Sequence, residues 1–210
     1  MKQGIIFDLD GTLWDSSKAV VDSWNEKIKE FPDIDYEMTY KQMQGYMGMT
    51  MEEIAFAFFH TVSKKRALEL LKICTDYENE YIVAHGGVLY EGVKETLSKL
   101  HEDYFLAIVS NCQQGYIEAF LQHHNLEQYF DDTENYGRTL KPKSDNICLL
   151  VKRNHLDKAV YVGDTMGDYQ ATIKAGLPFI HAAYGFGTVT ESTPEIHDIR
   201  ELPDCVIHYI

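Results

Sequence analysis

Four short apolar runs limit the folds that this chain can adopt. They lie at residues 4–9, 105–110, 159–164 and 178–183, and the last three end in small or polar residues. Runs of this length and composition are typical of strands that are buried on both faces of a sheet. Because helical patterns separate the runs, the sequence predicts an α/β fold with a doubly wound parallel sheet.

The segment at residues 16–85 differs, because it contains four helical patterns and no buried-strand run. The first pattern begins after Ser16 or Ser17, either of which suits a helix N-cap. The four patterns consist of Val20, Val21, Trp24, Ile28 and Phe31; Tyr36, Tyr40 and Met43; Met51, Ile54, Ala55 and Phe58; and Ala67, Leu70, Leu71, Cys74, Tyr77, Glu78 and Tyr81. We therefore predict a small all-helical cap domain at 16–85, inserted after the first strand, and an α/β core formed by residues 1–15 and 86–210.

A parallel sheet would also bring together the polar residues at the ends of its strands. In such sheets the ligand site lies outside the carboxyl ends of the strands. Asp8, Asp10, Ser110 and Asp164 stand at the ends of three of the apolar runs. We expect these side chains to lie together at one edge of the sheet.

The first run leads into Asp8-Leu9-Asp10-Gly11-Thr12-Leu13, the most informative motif of the chain. Side chains two residues apart on a strand face the same side, so the two carboxylates share one small space. Like charges that close raise each other's pKa unless a cation separates them. Gly11 suits a sharp exit from the strand, because it can adopt φ values that other residues avoid.

A second acidic motif, Gly163-Asp164-Thr165-Met166-Gly167-Asp168, follows the third run. Asp168 lies one turn beyond Asp164 if a helix begins there. Several carboxylates with no His or Cys nearby favour a hard cation such as Mg²⁺. Asp8, Asp10, Asp164 and Asp168 are therefore candidate metal ligands.

Two further features suit an anionic phosphoryl group. Ser110-Asn111 offers a hydroxyl, an amide and backbone N–H groups at the start of a helical pattern. Lys141 and Lys143 both precede the helical pattern that leads to Asp164, and either one can supply the positive charge.

Acidic residues outnumber basic ones by 33 to 19, which gives a net charge of −14. A surface that acidic repels nucleic acid and anionic lipid, so we expect neither as a partner. No stretch approaches the roughly 20 apolar residues of a membrane span. The four cysteines show no C-x-x-C spacing, and we expect reduced thiols in a cytoplasmic protein.

In this order, the motifs resemble those of the haloacid dehalogenase-like (HAD) superfamily, over residues 4 to about 187. The helical insertion is similar to the type-1 cap of its phosphoglycolate phosphatase-like branch, which implies a Rossmann-like core. The resemblance implies that Asp8 is the nucleophile and that Asp10 is first a general acid and then a base. It also implies that Ser110 binds the phosphoryl group.

The resemblance implies a magnesium site as well. Mg²⁺ would be held by Asp8, the backbone carbonyl of Asp10 and Asp164, with Asp168 acting directly or through water. Further candidates for binding the phosphate or the rest of the substrate are Asn111, Gly11, Thr12 and Tyr46.

The resemblance leaves the choice between the two lysines open. Lys141-Pro142 resembles the Lys-Pro pair of this branch, but Ser144 stands where a second Pro is expected. Lys143 resembles another branch, in which the lysine stands three residues before Asn-Ile. We slightly prefer Lys143 and keep both.

The function implied is that of a Mg²⁺-dependent phosphatase. Its substrate would be a small phosphate monoester, phosphoglycolate-like or a sugar phosphate, and it would act as a monomer or homodimer through an aspartyl-phosphate. Asp10 argues against dehalogenase and phosphonatase members, which lack Asp at this position. A phosphomutase and a catalytically silent binding or regulatory protein remain alternatives. A His-type metal protein is disfavoured, because the nine His show no H-E-x-x-H spacing.

Two loops are candidates for the substrate-facing surface. One is the segment 44–48, centred on Tyr46, together with Trp14. The other is the segment 184–187, which follows the fourth apolar run.

Overall fold

The computed structural model describes residues 1–210. The chain contains ten α-helices and eight strands. The strands are β1 (Gln3–Phe7), β2 (Trp14–Asp15), β3 (Val88–Leu89), β4 (Phe105–Ser110), β5 (Asp132–Asn135), β6 (Lys158–Gly163), β7 (Phe179–Ala182) and β8 (Glu195–Ile196). The helices are α1 (Ser17–Ile28), α2 (Tyr40–Tyr46), α3 (Met51–Phe58), α4 (Lys64–His85), α5 (Val93–Leu100), α6 (Tyr116–His124), α7 (Tyr136–Thr139), α8 (Lys143–Arg153), α9 (Met166–Ala175) and α10 (Leu202–Val206).

Six strands form one sheet in the order β5-β4-β1-β6-β7-β8. Every neighbouring pair in this sheet is parallel. The order reverses at β1, which lies between β4 and β6. Since ligands bind at such a reversal, outside the carboxyl ends of the strands, the residues that follow β1 occupy the expected position for a site.

Burial on both faces explains why β1 is so apolar. Ile5 and Phe7 point into the larger of two hydrophobic clusters, and Ile6 points into the smaller one on the other face. Helices α8 and α9 contribute Ile147 and Tyr169 to the smaller cluster. The predicted doubly wound α/β fold is therefore confirmed.

Helices α1 to α4 follow one another between β2 and β3, where the four helical patterns predicted them. Their apolar sides pack together, with Trp24 stacked on Phe59 and in edge contact with Phe58. Strands β2 and β3 pair antiparallel at the point where the chain enters and leaves this helical segment. The cap predicted after the first strand is thus a four-helix segment, while its limits at residues 16 and 85 stay a prediction.

Two further observations concern the chain as a whole. All four cysteines are free thiols. None of the helices combines the length and the apolar character that crossing a bilayer requires.

Candidate active site

A cavity lies between the helical segment and the carboxyl edge of the sheet. Its volume is about 510 Å³, counting the part that opens to solvent. The core contributes Asp8, Asp10, Ser110, Asn111 and Lys143 to the wall. All four cap helices contribute as well, for example through Trp24, Met43, Ile54 and Glu78. The structure thus brings the residues of three separate motifs to one enclosed space under the cap.

Asp8 is the first residue after β1, and it is only 4% exposed. Its Oδ1 accepts a hydrogen bond of 2.8 Å from Lys143 Nζ. Burial and the charge of Asp168 raise the pKa of Asp8 well above its ordinary value, against the opposing effect of Lys143. This carboxylate is therefore held in place by a buried cation and is not solvated as an ordinary surface group would be.

Lys143 reaches the site because α8 begins at this residue. The side chain is buried, and its Nζ also donates to Asp168 Oδ1 at 2.5 Å. Burial lowers the pKa of Lys143, but the charges of Asp168 and Asp8 outweigh that effect and raise it. The lysine therefore stays protonated between two carboxylates.

Lys141, the other candidate lysine, does not line the cavity, and it is exposed. It lies before Pro142, which occupies the N-cap position of α8. The lysines are two positions apart, but only the one inside the helix points into the site. The geometry therefore favours Lys143, and a role for Lys141 stays a prediction.

Asp10 lies in the same cavity and is held by two hydroxyl groups. Ser16 Oγ donates to Asp10 Oδ1 at 2.5 Å, and Tyr116 Oη donates to the same oxygen at 2.9 Å. Burial raises the pKa of Asp10, while these hydrogen bonds lower it in part. Ser16 occupies the N-cap position of α1, as predicted, but its hydroxyl donates to Asp10 and makes no side-chain cap for the helix.

Asp8, Asp164 and Asp168 form the acidic cluster of the site. One carboxylate oxygen of each lies within 4.8 Å of the others. Asp164 Oδ2 accepts hydrogen bonds from the backbone N–H groups of Phe186 and Gly187, whereas its Oδ1 is buried without a partner. Burial and the charge of Asp168 raise the pKa of Asp164 to about 7.

This donor set fits a divalent cation. An unpartnered buried oxygen and three close carboxylates are costly without positive charge, and oxygen ligands suit hard cations. Asp168 is the least available of the three. Its Oδ1 bonds Lys143, and its Oδ2 accepts from the backbone and hydroxyl of Thr165, which caps α9. Asp10 contributes no side-chain oxygen to this cluster.

Gly11 is required at its position for two reasons. Its φ of +85° is in the left-handed region, and a Cβ there would lie 2.3 Å from Asp164 Oδ2. The glycine therefore lets the loop after β1 pass directly over Asp164. Neither Gly11 nor Thr12 lines the cavity, and Thr12 is fully buried, so a part for them in binding phosphate stays a prediction.

Ser110 and Asn111 both line the cavity, at the end of β4. The Ser110 hydroxyl accepts a hydrogen bond of 3.3 Å from the backbone N–H of Cys112. Asn111 Nδ2 donates to the carbonyl of Gly48 in the cap at 2.9 Å. Both side chains therefore face the cavity, but only Asn111 also joins the core to the cap.

The two predicted substrate loops have different outcomes. Tyr46 and its neighbours Met47 and Gly48 line the cavity, as proposed for the segment 44–48. Trp14 does not, because its ring is fully buried against Tyr116 and Phe120. This placement corrects the expectation for Trp14. The segment 184–187 holds Asp164 through backbone N–H groups.

The loop at residues 111–114 makes further contacts with the cap helix α4. Asn79 Nδ2 donates to the carbonyl of Gln114 at 2.9 Å, and Asn79 Oδ1 accepts from Gln113 Nε2 at 3.2 Å. The sequence showed no signal for these contacts, because they join residues more than thirty positions apart. They hold the cap closed over the end of β4.

We expect Asn79→Ala to weaken this closed arrangement. Loss of about 1 kcal/mol of hydrogen bonding corresponds to roughly a fivefold lower kcat/KM for a phosphate ester. Steady-state kinetics measure the effect, with Glu80→Ala, an exposed neighbour on the same helix, as the control. An equal loss in the control would assign the effect to the helix and not to the contact.

Comparisons with known proteins identify the family to which the chain belongs. The sequence model of the haloacid dehalogenase-like hydrolase family matches residues 5–182, and the chain belongs to that family. Within it, the chain is similar to phosphoglycolate phosphatases. The one from Vibrio vulnificus (strain CMCP6) is 29% identical over 221 residues, which cover 97% of this chain and 95% of that protein. The one from Synechococcus elongatus is 31% identical over 189 residues, with coverage of 88% and 85%.

A solved structure shows the same fold. The haloacid dehalogenase-like family protein from Streptococcus pneumoniae aligns with a TM-score of 0.80 at 22% sequence identity, over 98% of both chains. The match to the family model confirms the resemblance noted from the motifs.

Proposed function

We propose that this chain is a Mg²⁺-dependent phosphatase that hydrolyses a small phosphate monoester by transferring the phosphoryl group to Asp8. One observation carries the proposal. The buried Asp8 carboxylate lines an enclosed cavity, bonds Lys143, and lies within 4.8 Å of two more carboxylates. Membership of the haloacid dehalogenase-like hydrolases and similarity to phosphoglycolate phosphatases support the same chemistry.

In the first step, an oxygen of Asp8 attacks phosphorus while the bond from phosphorus to the leaving oxygen breaks. Lys143 offsets the negative charge that collects between Asp8 and the phosphoryl oxygens. The hydroxyl of Ser110 donates to another phosphoryl oxygen. The result is an acyl phosphate on Asp8 and a free alcohol.

Asp10 supplies and then recovers the proton. A raised pKa makes the protonated form of Asp10 more accessible near neutral pH, and Ser16 and Tyr116 fix its position. It protonates the leaving oxygen in the first step. In the second step it takes a proton from the water that attacks the phosphorus on Asp8, which releases inorganic phosphate and restores both carboxyls.

Asp8, Asp164 and the backbone carbonyl of Asp10 would hold the Mg²⁺. Asp168 supports the site through Lys143 and Thr165. Bound Mg²⁺ would supply the positive charge that reduces the repulsion between Asp8 and the phosphoryl group.

The proposal is tested with a panel of phosphate monoesters, assayed for inorganic phosphate with and without Mg²⁺. Release that requires Mg²⁺ is expected. Conversion of a sugar phosphate to its isomer without phosphate release would instead indicate a phosphomutase. No Mg²⁺-dependent turnover across the panel would contradict the proposal.

We expect Asp164→Asn to weaken Mg²⁺ binding by about 100-fold or more, because it removes the charge next to the unpartnered Oδ1. The Mg²⁺ concentration that gives half-maximal activity measures the change. The rise in melting temperature with added Mg²⁺ gives a second readout that does not need turnover. Asp145→Asn, at an exposed carboxylate of α8, is the control and should behave as the wild type. Unchanged Mg²⁺ dependence in Asp164→Asn would exclude this residue as a ligand.

A further inference from the structure

The wall of the cavity contains very little positive charge. Among its lining residues, Lys143 is the only one with a cationic side chain, and no Arg or His is present. Lys143 is already bonded to Asp8 and Asp168. No cation is therefore available for a second anionic group on the substrate, beyond the phosphate itself.

The one ionisable acid that the cap adds to the wall is Glu78, on helix α4. Its side chain is buried, with 2% exposure. The indole N–H of Trp24 donates to Oε2, and Gln113 Nε2 donates to Oε1 at 3.2 Å. These two donors come from the cap and the core, so they fix the carboxyl in the closed arrangement. Donors to both oxygens stabilise the ionised form, although burial raises the pKa of Glu78 to about 7.

The rest of the cap side is apolar or aromatic. Met43, Met51 and Ile54 line the cavity together with the rings of Trp24 and Tyr46. Such a surface suits the carbon atoms of a substrate but does not solvate a charge. A carboxylate on the leaving group would thus lose water and meet Glu78 without gaining a cation.

We propose that the cap selects phosphate monoesters whose leaving alcohol has no anionic group and offers a hydrogen-bond donor, and that Glu78 is the specificity-determining residue. This inference rests on the phosphatase function proposed above. A carboxylate accepts about four hydrogen bonds, and Glu78 receives two from the protein, so it can accept one more from a hydroxyl or amine of the substrate. The negative charge of Glu78 disfavours phosphoglycolate, which has a carboxylate where the favoured substrate has that hydroxyl or amine.

Three two-carbon esters of similar size test the proposal without any variant. They are phosphoglycolate, 2-hydroxyethyl phosphate and O-phosphoethanolamine, whose ends are anionic, neutral and cationic. The assay contains Mg²⁺ and is run at about pH 8, above the pKa of Glu78. We expect kcat/KM for phosphoglycolate to be about tenfold or more below that of both other esters, because unlike the others it meets a like charge. Equal or faster turnover of phosphoglycolate would overturn the inference.

A different result would contradict the underlying function. If Mg²⁺ promotes phosphate release neither from these three esters nor from para-nitrophenyl phosphate, the phosphatase proposal itself is wrong. If para-nitrophenyl phosphate is hydrolysed and phosphoglycolate is turned over at least as fast as the other two esters, the function stands and the selectivity fails.

Glu78→Gln identifies the residue responsible. It keeps the shape of the side chain and removes its charge, so the ratio of kcat/KM for phosphoglycolate to that for 2-hydroxyethyl phosphate should rise about tenfold. Glu80→Gln removes the same charge from an exposed position of the same helix and should leave the ratio unchanged. An unchanged ratio in Glu78→Gln, with a wild-type circular dichroism spectrum, would show that Glu78 does not set the selectivity. If that variant fails to fold, the wild-type comparison of the three esters still decides whether the cap selects against an anionic leaving group.

Discussion

Asp8→Asn is expected to lower kcat by about 10⁴-fold or more, because an amide cannot form the acyl phosphate. The substitution keeps the size of the side chain. Lys143 also keeps its bond to Asp168. We therefore expect Asp8→Asn to lose activity but to remain folded. A coupled assay for inorganic phosphate at saturating Mg²⁺ measures it.

The stability of the same variant provides its control. Burial raises the pKa of Asp8 well above its ordinary value of 3.8, and the charges of Asp168 and Asp164 add to this rise. A carboxyl with a higher pKa in the folded chain favours folding at low pH. That contribution is lost as the pH rises through the folded pKa. In Mg²⁺-free buffer, Asp8→Asn should thus unfold at no lower temperature than the wild type near neutral pH.

Two outcomes would contradict the assignment of Asp8. One is Mg²⁺-dependent turnover by Asp8→Asn at more than about one hundredth of the wild-type rate. The other is ³²P-labelled protein trapped from Asp8→Asn as readily as from the wild type, since the label should reside on Asp8.

The strands that the sequence predicted are those buried on both faces. β1, β4, β6 and β7 are mostly apolar, because side chains on both of their faces lie in the two hydrophobic clusters. β5 was not predicted, since its residues Asp132–Asn135 are polar. Ion pairs from Arg153 of α8 to Asp132 and Glu134 hold this strand at the edge of the sheet. Such pairing depends on residues far along the chain, so no local pattern indicates it.

In the site, too, local patterns predicted some residues, whereas contacts between distant parts of the chain gave no signal. Asp8, Asp10, Ser110 and Asp164 were placed together correctly, because strand ends in a parallel sheet share one edge. The residues that orient them were not predicted. Tyr116 contacts Asp10 across 106 positions of the sequence, and no spacing indicates such a contact. The choice between the two lysines likewise depended on the residue at which α8 begins.

Lys143→Met is the second substitution with a large expected effect, because it leaves the buried carboxylates of Asp8 and Asp168 without a cationic partner. Breaking such a pair costs about 3 kcal/mol or more of the free energy of unfolding, and we expect kcat to fall by about 10²-fold or more as well. Urea denaturation in Mg²⁺-free buffer at about pH 7 and about pH 5 measures the first effect. The cost should be smaller at the lower pH, since the raised pKa of Asp8 lets that carboxyl bind a proton there.

Lys141→Met is the matched control and should change neither quantity, because its side chain is exposed outside the cavity. Should Lys141→Met be the inactive variant and Lys143→Met the active one, the cation that neutralises the phosphoryl group would have to be reassigned.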